Sequence, residues 1–180
     1  VSQITVDTPT NLVVGAGDFY KDQAGMGATM GDNQFSITRE IFTPELNGAK
    51  GKLLGTDYVK TSTGMLSVTL AEVSAATLAT AWPGSTSRSE TSLGASTTTI
   101  DEDNTRRIPT AAYADYELQV ERLDGGEIQF EVDDAIHTAS LEGTLGDGSN
   151  FGMKLQMESR WDPADLSRSP HRIRLLAAAS

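Results

Sequence analysis

The chain has 180 residues, a mass of 19.2 kDa, a formal charge of -11 and a pI near 4.5. Without cysteine it can hold no disulfide framework, thiol nucleophile or thiolate-ligated zinc. With 25 Asp and Glu against 14 Lys and Arg, it lacks the basic clusters that bind nucleic-acid phosphates. One domain over residues 1–180 is expected, and a hydrophobic fraction of 38% suffices for a packed core. No apolar run approaches the roughly 18 residues that span a bilayer, and Val1 to Thr10 lacks the blocks of a signal peptide. The expectation is a soluble protein made inside the cell.

Period-two alternation dominates and predicts a largely antiparallel β protein. Leu12 to Gly15 is a short apolar run. Phe35, Ile37 and Ile41 take one parity, with Gln34, Ser36 and Thr38 on the other. Thr43 to Lys60 contains Pro44, Asn47, Gly48, Gly51 and Gly55 and reads as an extended loop. Leu66, Val68 and Leu70 then alternate with Ser67, Thr69 and Ala71. Ser74 is a good N-cap for a short helix with Ala75, Leu78 and Trp82 on one side, stopped by Pro83 and Gly84. Gly84 to Ala112 is rich in Ser and Thr, carries Asp101, Glu102 and Asp103, and reads as a second long loop. Loops this long usually bind something or stay disordered, so both point to contacts outside the domain.

The best-specified element is a hairpin around Asp124, Gly125 and Gly126. A three-residue loop with Gly126 left-handed pairs Val120 with Phe130 and Leu118 with Val132. It also sets Glu121 opposite Gln129 and Gln119 opposite Glu131. The expected ribbon has one greasy face and one acidic face, because a register odd by one would mix the two. Phe151, Met153, Leu155, Met157 and Trp161 share a face further on, and Ile173 and Leu175 make a final short strand.

The chemical motifs fail on spacing. Gly15-Ala16-Gly17 opens like a dinucleotide turn, but Tyr20 stands where the third glycine belongs and no amphipathic helix follows. The better reading is a glycine-rich strand end and hairpin. Gly51-Lys52 lacks both the earlier glycine (Leu46 is there) and the following hydroxyl residue of a phosphate-binding loop. Asp101, Asp103 and Thr105 echo calcium-loop spacing, yet Arg106 replaces the turn glycine and Ala112 the final carboxylate, leaving at most weak cation binding. His137 and His171 sit in no metal-ligand spacing and read as structural, and no Gly-x-Ser-x-Gly elbow exists. A Ser-His-Asp triad stays open at this stage, since its members meet only in space. Trp82 and Trp161 read as core anchors. No enzyme activity, cofactor or metal is expected.

Several segments in order resemble a known family. Val13-Val14-Gly15-Ala16-Gly17-Asp18-Phe19-Tyr20 is similar to the first strand of siphophage major tail tube proteins, above all those of actinobacteriophages. Further similarity lies in Leu54-Gly55-Thr56-Asp57-Tyr58, in the Ala-rich helix ending Pro83-Gly84, in Tyr116 to Asp124, and in Arg160-Trp161-Asp162-Pro163. The Ser/Thr-rich stretch from Ser85 to Asn104 has no counterpart in the pattern.

The resemblance implies a mainly β tail-tube sandwich or barrel with one short helix and long loops. Hexameric rings of it would stack into a tube that conducts DNA, in a virion assembled in the host cytoplasm. It also implies tape measure, tail terminator and distal tail or baseplate proteins as partners, no membrane, and DNA that passes without specific binding. About four strands per subunit make roughly twenty-four, a circumference near 115 Å and, after side chains, a bore of roughly 26 Å. Duplex DNA fits that bore, and carboxylates lining it would repel phosphates. Glu117, Gln119, Glu121, Glu127, Gln129, Glu131 and Asp133 are the candidate lining. The 43–60 loop, with Pro44, Asn47, Gly48, Lys50, Lys52 and Tyr58, is the candidate ring-stacking element. Competing readings are a carbohydrate-binding or adhesion sandwich, which wants clustered exposed aromatics, a small β hydrolase, and a secretion-system tube subunit of the same fold.

Overall fold

The computed structural model describes residues 17–30, 33–44, 54–71, 74–92, 95–102, 108–122, 124–140, 143–144 and 152–177. The described strands are β1 (Asp18–Lys21), β2 (Ala24–Ala28), β3 (Gln34–Phe42), β4 (Tyr58–Leu70), β5 (Ser85–Ser92), β6 (Ala95–Glu102), β7 (Ala114–Glu121), β8 (Glu127–His137), β9 (Gly143–Thr144), β10 (Gly152–Glu158) and β11 (His171–Leu176). One helix, α1 (Ala75–Ala81), and a 3-10 turn at Thr110–Ala112 complete the described set. Every described strand pair is antiparallel, so the chain is mainly β with one short helix, as the alternation predicts.

Two layers share β8. Its first half pairs with β7 on one side and β11 on the other, in the order β2-β1-β7-β8-β11. Its last residues, Ile136 and His137, pair with Glu158 and Met157 of β10, which leads into β4 and β3. Between these halves Asp134 takes φ 47, and the β7 register shifts between Ala114 and Tyr116. This is a bulge: it bends β8 out of one layer and into the other. The Asp115 carboxylate holds the bend, accepting the Asp134 backbone N–H at 3.0 Å.

The core forms where the inward parities meet. Met153, Leu155 and Met157 lie opposite Leu70, Val68 and Leu66, all buried. Phe19, Tyr116, Leu118, Val120 and Val132 face them from the other layer. Phe19 stacks on Tyr116 at 5.7 Å between ring centroids, and Phe35 meets Phe130 across the layers at 5.3 Å. Burial pushes the Tyr116 phenol up to about 12, with Asp22 adding to it and a Thr80 hydrogen bond opposing.

Four expectations need correction. The hairpin register is two residues from the predicted one: Val120 pairs with Ile128, Leu118 with Phe130, Gln119 with Gln129 and Glu121 with Glu127. Pairing ends at Arg122 and Gly126, and Gly125, at φ 77, is the left-handed residue. Asp124 decides this, because its carboxylate accepts the Gly126 N–H at 3.0 Å and takes the Arg122 guanidinium at 2.6 Å. A shift of two preserves parity, so the greasy and acidic faces stand as expected.

The helix has the predicted Ser74 cap, with Thr77 completing a capping box. Its buried face is Thr77, Thr80 and Ala81, with Leu78 partly buried, whereas Ala75 and Trp82 are exposed. Thr80 belongs inside because it serves Tyr116 and accepts from Lys21 Nζ at 3.4 Å. Within the stretch 85–112, Ser85–Ser92 and Ala95–Glu102 are not loop: as β5 and β6 they form a regular two-stranded ribbon. Its cross-strand hydroxyl pairs fit a pleat without any apolar alternation to reveal it. Trp82 and Trp161 are not core anchors; both are exposed, and the Trp161 indole donates to the Ser62 carbonyl at 3.1 Å.

Candidate assembly surface

Parity places seven expected residues on the outer face of the first layer. Glu117 faces Glu131, Gln119 faces Gln129, and Glu121 faces Glu127, with Asp133 beyond them. The structure brings this whole set together, and β1 extends the face with Asp18 opposite Gln119. Like carboxylates directly opposite one another repel.

β11 supplies the compensation. Arg172 lies opposite Glu131 and Arg174 opposite Gln129, on the acidic face. The Arg172 guanidinium bonds Glu131 through Nε and grips Asp133 with two donors at 2.7 and 3.0 Å. Arg174 reaches Glu131 at 2.9 Å, and Arg168, from the preceding loop, reaches Asp133 at 2.8 Å. Burial alone would push Arg172 down, but the Asp133 and Glu131 carboxylates more than offset it and hold it above its ordinary value. Glu131 and Asp133 are therefore buried, each 5% exposed, inside ion pairs. Glu121 stays exposed, and Glu117 and Glu127 are half-buried. The face is thus mixed rather than uniformly anionic, with carboxylates still in excess.

Sequence reasoning missed these arginines, although Arg172 and Arg174 alternate with Ile173 and Leu175 in a pattern complementary to the acidic ribbon. Further carboxylates crowd the bend beside Asp133. Burial pushes Asp134 up, and Asp115, Asp162 and Asp133 add to it, with Arg168 opposing. Among the described residues no group of His, Cys, Asp or Glu has the arrangement to hold a metal ion. The Asp101 of the expected weak cation loop is instead ion-paired with Arg88 at 2.5 Å within the ribbon; Asp103 and Thr105 lie outside the described residues.

The two histidines sit in the structure as tethers. His171 Nε2 lies 3.1 Å from Ser62 Oγ, while Nδ1 faces Ser159 Oγ at 3.5 Å. Ser159 Oγ in turn accepts the Gly64 N–H at 2.9 Å, which leaves its hydroxyl fixed between strands. Among the described residues the ring partners of His171 are these two serines, and no carboxylate hydrogen-bonds it. Burial pushes His171 below its ordinary value and Arg39 adds to that, while Asp133 opposes. Burial likewise lowers His137, against a backbone hydrogen bond with Lys154.

Among the described residues β2 and β11 are edge strands of the first layer, β3 and the short β9 of the second; the β2 edge is joined to the end of β4 at Ala28, whose carbonyl accepts the Ala71 N–H at 3.1 Å. Next to the β11 and β3 edges lie uncovered apolar side chains. Ile173 and Leu175 of β11 are 50% and 70% exposed, and Ile41 at the end of β3 is 62% exposed. Phe42 and Tyr58 close the β3–β4 arm with rings 5.1 Å apart, both exposed. At the opposite edge, β2 and α1 frame a groove of about 620 Å³ walled by small residues such as Gly25, Ala76 and Ala79. Of the ring-stacking candidates, Pro44 is half-buried and Tyr58 already belongs to β4. Asn47, Gly48, Lys50 and Lys52 lie outside the described residues. No described helix is long and apolar enough to cross a membrane.

No family model matches this chain, and no curated protein matches it.

Proposed function

We propose that the chain is a structural subunit of a siphophage tail tube, assembling head to tail into hexameric rings that stack and conduct DNA, with no catalytic site. The observation that carries this reading is the apolar surface beside open strand edges: Ile173 and Leu175 on β11, Ile41 at the end of β3. A monomer blunts such edges with charge, proline or a covering segment, whereas a ring satisfies them with the next copy. Different patches stand at the two ends of the first layer, the small-residue groove at β2 and the apolar strand at β11, as a heterologous contact requires.

The outer face of that layer supports the lining. Its five strands suffice for the four that the bore arithmetic takes from each subunit. Pairing with Arg172 and Arg174 limits repulsion among lining carboxylates while Glu117, Glu121 and Glu127 keep the face anionic. Tape measure, tail terminator and distal tail or baseplate proteins are the partners this role requires. The test is velocity sedimentation of concentrated protein beside the Leu175→Asp and Ile41→Asp variants. Fast-sedimenting assemblies lost in both variants, with circular dichroism unchanged, support the reading. Wild-type protein sedimenting as a lone chain at every concentration overturns it.

A further inference from the structure

The β5–β6 ribbon stands apart from both layers and has an unusual surface. Six of eight residues in β5 and four of eight in β6 are Ser or Thr, and neither strand contains Pro, Lys or Gly. The register runs unbroken from Ser85↔Glu102 to Ser92↔Ala95, without a bulge. Both outer edges are open among the described residues. A lone two-stranded ribbon of this kind is marginal in water, and it lacks the proline, lysine and bulge devices by which edges avoid partners.

We infer that β5 pairs antiparallel with β5 of a second copy about a two-fold axis at Ser89. The register follows from hydrogen bonding and charge. Two residues separate Ser92 from Ala95, so these form the hydrogen-bonded pair next to the loop, and Glu90 and Arg88 also bond inward. Ser87, Ser89 and Thr91 then direct their N–H and C=O groups outward, where a second strand can bond them, whereas the Ser85 N–H already donates to the Trp82 carbonyl at 3.0 Å. Centring on Ser89 sets Arg88 of each copy opposite Glu90 of the other, in the non-hydrogen-bonded positions where side chains approach closest. The two adjacent registers set Arg88 against Arg88 or Glu90 against Glu90, and like charges there repel. The edge of β6 offers no such match, since its centre is Thr97, Thr98 and Thr99. Glu90 has no ion-pair partner among the described residues, and the Arg88 side chain remains 68% exposed beside Asp101. Both are available to a second copy.

This contact does not rest on the tube reading. A two-fold axis relates no two subunits of a head-to-tail tube, so it joins free subunits or tubes lying side by side.

The natural absence of cysteine makes the test direct. Single Ser87→Cys, Ser89→Cys and Thr91→Cys variants of the full chain are oxidised mildly and run on non-reducing gels. Only position 89 faces itself; positions 87 and 91 lie about 13 Å from their own copies, too far for a disulfide. Ser89→Cys should cross-link at least about tenfold faster than the other two. In the Ser89→Cys background, Arg88→Glu or Glu90→Arg should abolish that advantage, and the double swap should restore it. Recovery cannot come from the Arg88–Asp101 pair, which both Arg88→Glu chains lack. Equal cross-linking at all three positions, or no recovery in the double swap, overturns the inference.

Discussion

Replacing Gly64 by alanine tests how β11 is held. A Cβ at this position would stand 2.5 Å from His171 Cβ, 2.7 Å from Cγ and 3.1 Å from Nδ1. Carbon contacts are comfortable near 3.5–4.0 Å, so the strands must separate by about 1 Å. His171 Cβ is fixed to the backbone and cannot swing away as a flexible tip would. Separation also stretches the His171 contacts with Ser62 at 3.1 Å and Ser159 at 3.5 Å. Overpacking and the strained hydrogen bonds together predict a loss of about 2–3 kcal/mol, read by urea unfolding. In a His171→Gly background the obstructing Cβ is gone, and the same substitution should cost under about 0.5 kcal/mol. An equal cost in both backgrounds would refute the idea that this contact anchors β11.

Other outcomes follow from the same geometry. Arg172→Met removes one of two guanidiniums from each of two buried carboxylates and should cost about 2 kcal/mol, below the 3–5 of a fully stripped pair; a neutral or stabilising result in urea unfolding contradicts the role given to these pairs. Asp134→Asn keeps a residue that tolerates positive φ and removes a carboxylate whose folded value is raised, chiefly by burial. A raised folded value means the native state binds the extra proton, so ionisation at neutral pH costs stability that returns as pH falls through that value. The variant should be the more stable at pH 7, with the gap closing in acid; a gap that widens in acid contradicts it. Deleting Asn47 to Lys52 should leave a folded chain that no longer forms tubes in electron micrographs, and normal tubes would remove this loop from ring stacking.

What the sequence made legible tracks how strongly parity was enforced. Leu66, Val68 and Leu70, or Leu118 and Val120, face a core that punishes a slip of one residue, so their faces could be read directly. A slip of two carries no such penalty, and the hairpin register turned on one local bond, Asp124 to the Gly126 N–H, that alternation does not encode. The β5–β6 ribbon was illegible because hydroxyl side chains cover both of its faces. The helix was placed correctly by its cap but turned wrongly, since Thr77 and Thr80 are buried by hydrogen bonding rather than by hydrophobicity. As for the candidate lining, the shared face was readable from alternation, whereas its neutralisation by Arg168, Arg172 and Arg174 required knowing that β11 pairs with β8.

Electron cryomicroscopy of the purified, concentrated chain tests the central claim most directly. The account predicts stacked six-fold rings around an open bore of roughly 26 Å, with Glu117, Glu121 and Glu127 facing the channel. Single-chain particles at every concentration, or a channel walled by a different and basic face, would contradict it.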